Sequence, residues 1–141
     1  LARQYLATVQ ALAYGTRQII GAMRESGIDI RTLVVSGGLA RNTLYLREHA
    51  DATGCAILVP NQQEPVLLGS AMLAATAAGR FEDLGAARAE MSGTAHRILP
   101  RTGTVARYHN AKYDVFLAMQ SHFADYDQIM SAIRTEVGNE R

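Results

Sequence analysis

The sequence predicts an α/β fold in which helices cover a small sheet and a long helix forms the C-terminal tail. Two short runs of apolar and β-branched residues, 32–36 and 55–59, have the length and composition of buried strands. Helical stretches precede, separate and follow them, in the order helix–strand–helix–strand–helix. Apolar residues also recur at helical spacing over 104–136. With 141 residues, the chain can form one packed domain but is too short for two large ones.

The first predicted helix spans 2–26, and Gly27 suits its C-terminal stop. Apolar positions three or four residues apart predict one buried face. The residues of that face are Tyr5, Val9, Leu12, Thr16, Ile19, Ile20 and Met23. The strand at 32–36 follows and ends at a pair of glycines.

The middle of the chain predicts two further helices around the second strand. Asn42 or Thr43 can cap a helix over 43–53, which Gly54 closes. After the strand at 55–59, which Pro60 stops, Pro65 suits the first position of a helix. That helix runs to about Ala78, ends at Gly79 and is rich in small residues, which predicts close packing against another backbone.

The last third of the chain predicts a short helix at 83–92, a loop at 93–103 and the long helix at 104–136. The apolar stripe of the long helix is open to three interpretations: core contacts, a face left bare by truncation, or the interface of a homodimer. Its members are Tyr108, Val115, Met119, Phe123, Tyr126, Met130 and Ile133.

Composition argues against several classes of partner. The formal charge is +1, and no basic stripe with interleaved aromatic residues occurs, so we expect no nucleic-acid partner. No apolar run approaches the roughly 18–20 residues of a membrane span, and no signal peptide is evident at the start. The single cysteine, Cys55, excludes an internal disulfide and favours the cytoplasm. The four histidines lack metal-ligand spacing, so we predict no metal site on this chain.

Gly37 and Gly38 end the first strand where a ligand could approach the backbone. Glycine lacks a Cβ, and ligands of open α/β sheets bind beyond the carboxyl ends of strands. The pair is therefore either a tight turn that needs positive φ or part of a nucleotide site. It matches neither the phosphate loop with Gly-Lys-Ser/Thr nor the dinucleotide-binding G-x-G-x-x-G pattern, which also argues against an NAD-dependent dehydrogenase.

Three stretches together resemble the C-terminal domain of the FGGY carbohydrate kinases, and within that family the ribulose (pentulose) kinases. They are SGGLARNTLYLREHADATG at 36–54, EPVLLGSAMLAATAAG at 64–79 and YHNAKYDVF at 108–116. The resemblance implies an actin-like ATPase (ribonuclease H-like) fold. Residues 1–141 would then be part of its C-terminal, nucleotide-binding domain, without the N-terminal sugar-binding domain. The start at Leu1 rather than Met fits a piece of a longer protein.

The resemblance also implies an activity, which is the ATP- and Mg²⁺-dependent phosphorylation of a pentulose. D-Ribulose is the expected sugar, followed by L-ribulose, then D-xylulose or glycerol. By resemblance, Gly37 and Gly38 would touch the phosphates and sugar of ATP. Asn42 would reach the adenine, and Leu39 and Ala40 would line its side. The family's catalytic Asp falls upstream of these motifs, so no catalytic residue is assigned here and the isolated chain is expected to be inactive. The alternative is a non-catalytic nucleotide-binding or assembly module.

Five other residues have structural interpretations beside functional ones. Asp51 is read as a structural or solvated carboxylate, Cys55 as a core thiol and Gly69 as a point of close helix packing. Glu64 favours a helix N-terminus electrostatically or lies beside the nucleotide. Arg41 is either solvent-exposed or reaches the nucleotide.

Overall fold

The structure, a computed structural model, describes residues 1–62 and 64–139 and divides into two compact units. The first unit spans Leu1–Arg101, and the second begins at Thr102. The second unit contains one helix, α5 (Thr104–Asn139). The first contains α1 (Ala2–Glu25), β1 (Thr32–Val34), a 3₁₀ turn (Gly38–Arg41), α2 (Thr43–Thr53), β2 (Ala56–Pro60), α3 (Pro65–Ala77), α4 (Leu84–Met91) and β3 (Ala95–Ile98).

The three strands form a mixed sheet with β2 in the centre. β1 pairs with β2 in parallel, with Leu33 opposite Ile57, because α2 carries the chain back between them. β3 pairs with β2 antiparallel, with Ala95 opposite Pro60. The carboxyl ends of β1 and β2 and the amino end of β3 therefore meet at one edge of the sheet.

The core lies between the sheet and α2. Leu46 and Ala50 of α2 pack with Ile57 and Ile98 of the sheet, and these four residues are buried. Leu33, Val35, Tyr45 and Val59 surround them and are partly buried. This packing fixes the end of β1 relative to the start of α2, where the candidate site lies.

α1 packs against α2, and polar residues join the two helices. Gln10 Nε2 donates to Glu48 Oε2 at 2.8 Å, and both residues are buried. Arg17 Nη1 donates to the carbonyl oxygen of Ala52 at 3.2 Å. The face predicted for α1 is only partly right, because Leu12 and several other members of the stripe are exposed. The residues that α1 buries are Val9, Gln10, Ala13, Tyr14 and Ile20.

Several predicted boundaries are confirmed. α1 ends at Glu25, and Gly27 follows with a φ of 86°. Gly54 closes α2 with a left-handed φ of 70°, and Gly79 follows α3 with a φ of 73°. Glycine adopts positive φ at no steric cost, which is why these residues mark helix ends clearly.

Four further predictions are not met. The segment 93–103 contains a strand, β3, where a loop was expected. The strand expected at 32–36 is shorter and ends at Val34. The small-residue face of α3 is not tightly packed within the described part of the chain: α3 contacts α4, but none of its residues is buried, and Val66 is 79% exposed. A Cβ added at Gly69 would meet no described heavy atom within 4 Å, so close packing there is also contradicted.

α5 confirms the predicted long C-terminal helix. Six members of the predicted stripe are exposed, so the interpretation as core contacts is wrong for them, while a face left bare by truncation and a subunit interface stay predictions. Those six are Tyr108, Val115, Met119, Phe123, Tyr126 and Met130. The side chain of Ile133 lies outside the described side chains. Among the described residues, none of the helices combines the length and apolar character that a membrane crossing needs.

Candidate functional site

A cavity of about 670 Å³ lies at the sheet edge where β1 and β2 both end. Its volume falls within the roughly 300–1,000 Å³ of small-molecule sites. One wall is the loop after β1 and the 3₁₀ turn, and the other is the end of β2 and the start of α3. The lining residues are Ser36, Gly37, Gly38, Ala40 and Arg41 on the first wall, and Val59, Pro60, Asn61, Gln62, Glu64, Pro65 and Val66 on the second.

The two glycines of the first wall are there for different reasons. Gly37 has φ 79° and ψ −158°, a backbone conformation that is essentially restricted to glycine. Gly38 does not have positive φ, and a Cβ added to it would meet no described heavy atom within 4 Å. Gly37 thus provides the positive φ that the turn requires. The absence of a side chain at Gly38 leaves cavity space open beside the backbone.

Asn42 is the residue that caps α2, which confirms one of the two predicted caps. Its Oδ1 accepts a hydrogen bond from the Tyr45 backbone N–H at 3.1 Å. Its Nδ2 donates to the Tyr5 hydroxyl at 2.7 Å, so α1 also fixes the orientation of this amide. Among the described residues, Asn42 and Leu39 do not line the cavity, and Leu39 is 53% exposed. The assignment of both to an adenine stays a prediction.

The second wall contains residues that sequence reasoning did not single out. Asn61 and Gln62 follow β2 directly and line the cavity. Their position at the end of a strand parallel to β1 was the available signal, because the carboxyl ends of parallel strands meet at one edge. Pro65 occupies the first turn of α3, as predicted, and Glu64 is the N-cap residue before it.

The two walls carry opposite charges. Arg41 on the first wall and Glu64 on the second are the charged residues of the described lining, and both are exposed. The guanidinium of Arg41 offers up to five donors in a fixed fork that suits phosphate oxygens. The cavity therefore fits a nucleotide in size, in the open backbone of Gly38 and in having a cation on the same wall.

Asp51 lies outside the cavity and has a structural partner. Its side chain is fully buried, and Oδ1 accepts from the Arg101 backbone N–H at 2.7 Å. Oδ2 accepts from Arg101 Nε at 2.8 Å and Nη2 at 2.6 Å. This hydrogen-bonded pair raises the pKa of Arg101. The structural interpretation of Asp51 is confirmed.

Cys55 has the structural role predicted for it, and the described histidines do not take part in a metal-binding group. Cys55 is a fully buried free thiol, which confirms the core interpretation. Over 1–62 and 64–139, no group of three His, Cys, Asp or Glu side chains is arranged to hold a metal ion.

The chain is similar to known proteins over most of its length. The model of the FGGY family of carbohydrate kinases, C-terminal domain, matches residues 1–78. An FGGY carbohydrate kinase domain-containing protein of Homo sapiens is 44% identical over 131 residues, which cover 93% of this chain and 24% of that protein. A ribulokinase of Mycolicibacterium smegmatis is 35% identical over 137 residues, covering 96% and 24%. A glycerol kinase of Streptococcus uberis is 44% identical over 79 residues, covering 55% and 16%. The chain thus spans about a quarter of the length of the first two.

Proposed function

Because the chain belongs to the FGGY family of carbohydrate kinases, we propose that it supplies the ATP-binding part of an enzyme that phosphorylates a sugar in the cytoplasm. The observation that carries the proposal is the cavity where β1 and β2 end, with Gly38 open beside it. The proposed substrate is a ribulose, since the similarity to ribulokinases extends over most of the chain, and D-ribulose is placed first. L-Ribulose comes second, and D-xylulose or glycerol follows.

The first wall and two residues next to it have proposed roles toward ATP. Gly37 and Gly38 let the phosphates and ribose lie against the end of β1, and Arg41 attracts the phosphate charge. Leu39 of the 3₁₀ turn and Asn42, the N-cap residue of α2, contact the adenine. ATP would supply the phosphoryl group, and Mg²⁺ would neutralise charge on the phosphates.

We further propose that residues 1–141 form the nucleotide-binding portion of a longer protein. The catalytic Asp and the sugar-binding residues would lie in the remaining chain. Glu64 is the one carboxylate in the described lining, and as the N-cap residue of α3 it favours the helix N-terminus electrostatically. A lining with no carboxylate besides Glu64 also fits a second candidate, a module that binds nucleotide without catalysis.

The deciding experiment measures ADP release by the full-length protein with Mg-ATP and D-ribulose, L-ribulose, D-xylulose or glycerol. Gly38→Asp adds a carboxylate where the phosphates are proposed to lie. We expect it to reduce kcat/KM at least 100-fold, about 2.7 kcal/mol, because an anion repels phosphate at close range.

Gly21→Asp is the matched control. Gly21 also has ordinary φ and open space at its Cβ, but it lies in α1 away from the cavity. The Gly21→Asp variant should keep kcat/KM within a few-fold of the natural protein. Turnover on a sugar that Gly38→Asp leaves unchanged would contradict the proposed site. ATP binding without turnover on any sugar would favour the non-catalytic module.

A further inference from the structure

The second wall of the cavity rests on residues that lie beyond the family match, which ends at residue 78. Asn61, which lines the cavity, makes two hydrogen bonds to Thr94, the residue before β3. Its backbone N–H donates to the Thr94 carbonyl oxygen at 3.0 Å. Its Nδ2 donates to Thr94 Oγ1 at 2.6 Å. The antiparallel register of β2 and β3 brings the two residues together, because Pro60 lies opposite Ala95.

The neighbouring residues make a second contact between the same two segments. A Cβ added at Gly93 would lie 2.8 Å from Nε2 of Gln62, so the side chain of Gln62 lies against the Gly93 backbone. Gln62 also lines the cavity. Two successive residues of the wall thus contact two successive residues at 93–94.

The bond to Thr94 occupies one of the two N–H groups of the Asn61 amide and leaves Oδ1 as its acceptor. A carboxamide has one donating and one accepting end. The donating Nδ2 is bonded to Thr94, and within the described residues no group donates to Oδ1. The wall therefore offers Oδ1 as an acceptor beside the second N–H of Nδ2, and this acceptor suits a ligand with hydroxyl or amino donors. A nucleoside has both, on its ribose and on the exocyclic amine of adenine.

We propose that Thr94 is a positioning residue for nucleotide binding: its hydroxyl holds Asn61 so that Oδ1 accepts a hydrogen bond from the nucleoside. The inference rests on the proposed function and assigns to it a residue outside the matched region. Without the hydroxyl, the amide can rotate and present either end, which weakens the bond to the ligand.

The test measures Mg-ATP affinity of the full-length protein by calorimetric titration. Thr94→Val keeps the shape and removes the hydroxyl, and we expect about a three- to tenfold weaker Kd, the effect of one hydrogen bond. Thr94→Ser keeps the hydroxyl and should bind within twofold of the natural protein. Thr8→Val is the matched control, since Thr8 Oγ1 bonds the Gln4 carbonyl on the exposed side of α1.

A double-mutant cycle separates positioning from a general effect on folding. In an Asn61→Ala background, Thr94→Val should cause no further loss of affinity, because its effect passes through Asn61. Repeating the titrations with 2′-deoxy-ATP and ITP identifies the donor, since the effect of Thr94→Val should vanish for the analogue that lacks it. Thr94 is exposed, so the fold should persist. Thr94→Ala replaces the valine variant if thermal melting shows that valine disturbs β3.

Two results would overturn the inference, and only one of them would also overturn the proposed function. If Thr94→Val binds Mg-ATP as tightly as the natural protein while Gly38→Asp loses binding, the inference fails and the proposed function stands. If the natural protein binds no Mg-ATP, both fail together.

Discussion

Asp51 is a single buried carboxylate whose role is structural. It is fully buried and accepts three hydrogen bonds from Arg101, so α2 is joined to the segment that follows β3. A buried carboxylate without such partners would carry a desolvation penalty of several kcal/mol. The pair therefore ties the end of the sheet to the helix that packs on it.

Asp51→Asn should destabilise the protein by about 1–3 kcal/mol. The amide keeps the shape but loses the charge and sets its NH₂ group against the donors of Arg101. The loss is smaller than for a fully buried pair because the Arg101 side chain is 51% exposed and water screens it. Urea denaturation measures the free energy of unfolding.

Asp29→Asn is the control for that measurement. Asp29 pairs with Arg31 at the surface, where the two side chains are 58% and 84% exposed. Exposed pairs contribute about 0–1 kcal/mol. Equal losses for the two variants would show that the buried pair has no special role.

At the scale of elements, α2 begins at a residue with two proposed tasks. Asn42 caps the helix and is also proposed to reach the adenine. Asp caps about as well as Asn, whereas Ala costs about 1 kcal/mol. Asn42→Asp should therefore leave stability within about 0.5 kcal/mol but weaken Mg-ATP binding about fivefold, because it removes an amide donor. Asn42→Ala should lower both the stability and the affinity for Mg-ATP, as thermal melting and titration would show. Unchanged affinity in Asn42→Asp would restrict Asn42 to capping.

The elements that the sequence predicts well are those with local signals. Gly27, Gly54 and Gly79 mark helix ends because their backbone conformations need glycine. β3 was missed because Ala95–Ile98 has no strand pattern of its own: only Ile98 is buried, and pairing with β2 decides its conformation. The contact of Asn61 with Thr94 depends on that pairing, so the second wall could not be predicted either. The first wall could be, since the glycine pair follows a strand directly.

At the scale of the whole molecule, His49 couples stability to pH. It is buried in α2, and its Nδ1 lies 2.9 Å from the Tyr45 carbonyl oxygen, which fits an Nδ1–H donor. Nε2 is buried and has no partner among the described residues. Burial lowers the pKa of His49, although the bond to Tyr45 and the charge of Glu48 act in the opposite direction. The folded state thus favours the neutral ring.

The free energy of unfolding should therefore fall as the pH drops below about 6.5, where an unfolded histidine begins to take up a proton. The unfolded chain binds more protons than the folded one in the range down to the lowered pKa. His49→Phe should flatten this slope in urea titrations between pH 5 and 8. His96→Phe, at an exposed position of β3, is the control. A slope that His49→Phe leaves unchanged would assign the pH dependence to other groups.

The position of β3 bears on where this domain can be divided. The family match ends at residue 78, whereas the compact unit continues to Arg101. A protein engineer who cut at residue 78 would remove the strand that pairs with Ile57–Pro60 and the arginine that satisfies Asp51. The open edge of β2 would then be available to another copy, which is a known route to aggregation. The unit suited to domain grafting or recombination therefore ends after Arg101.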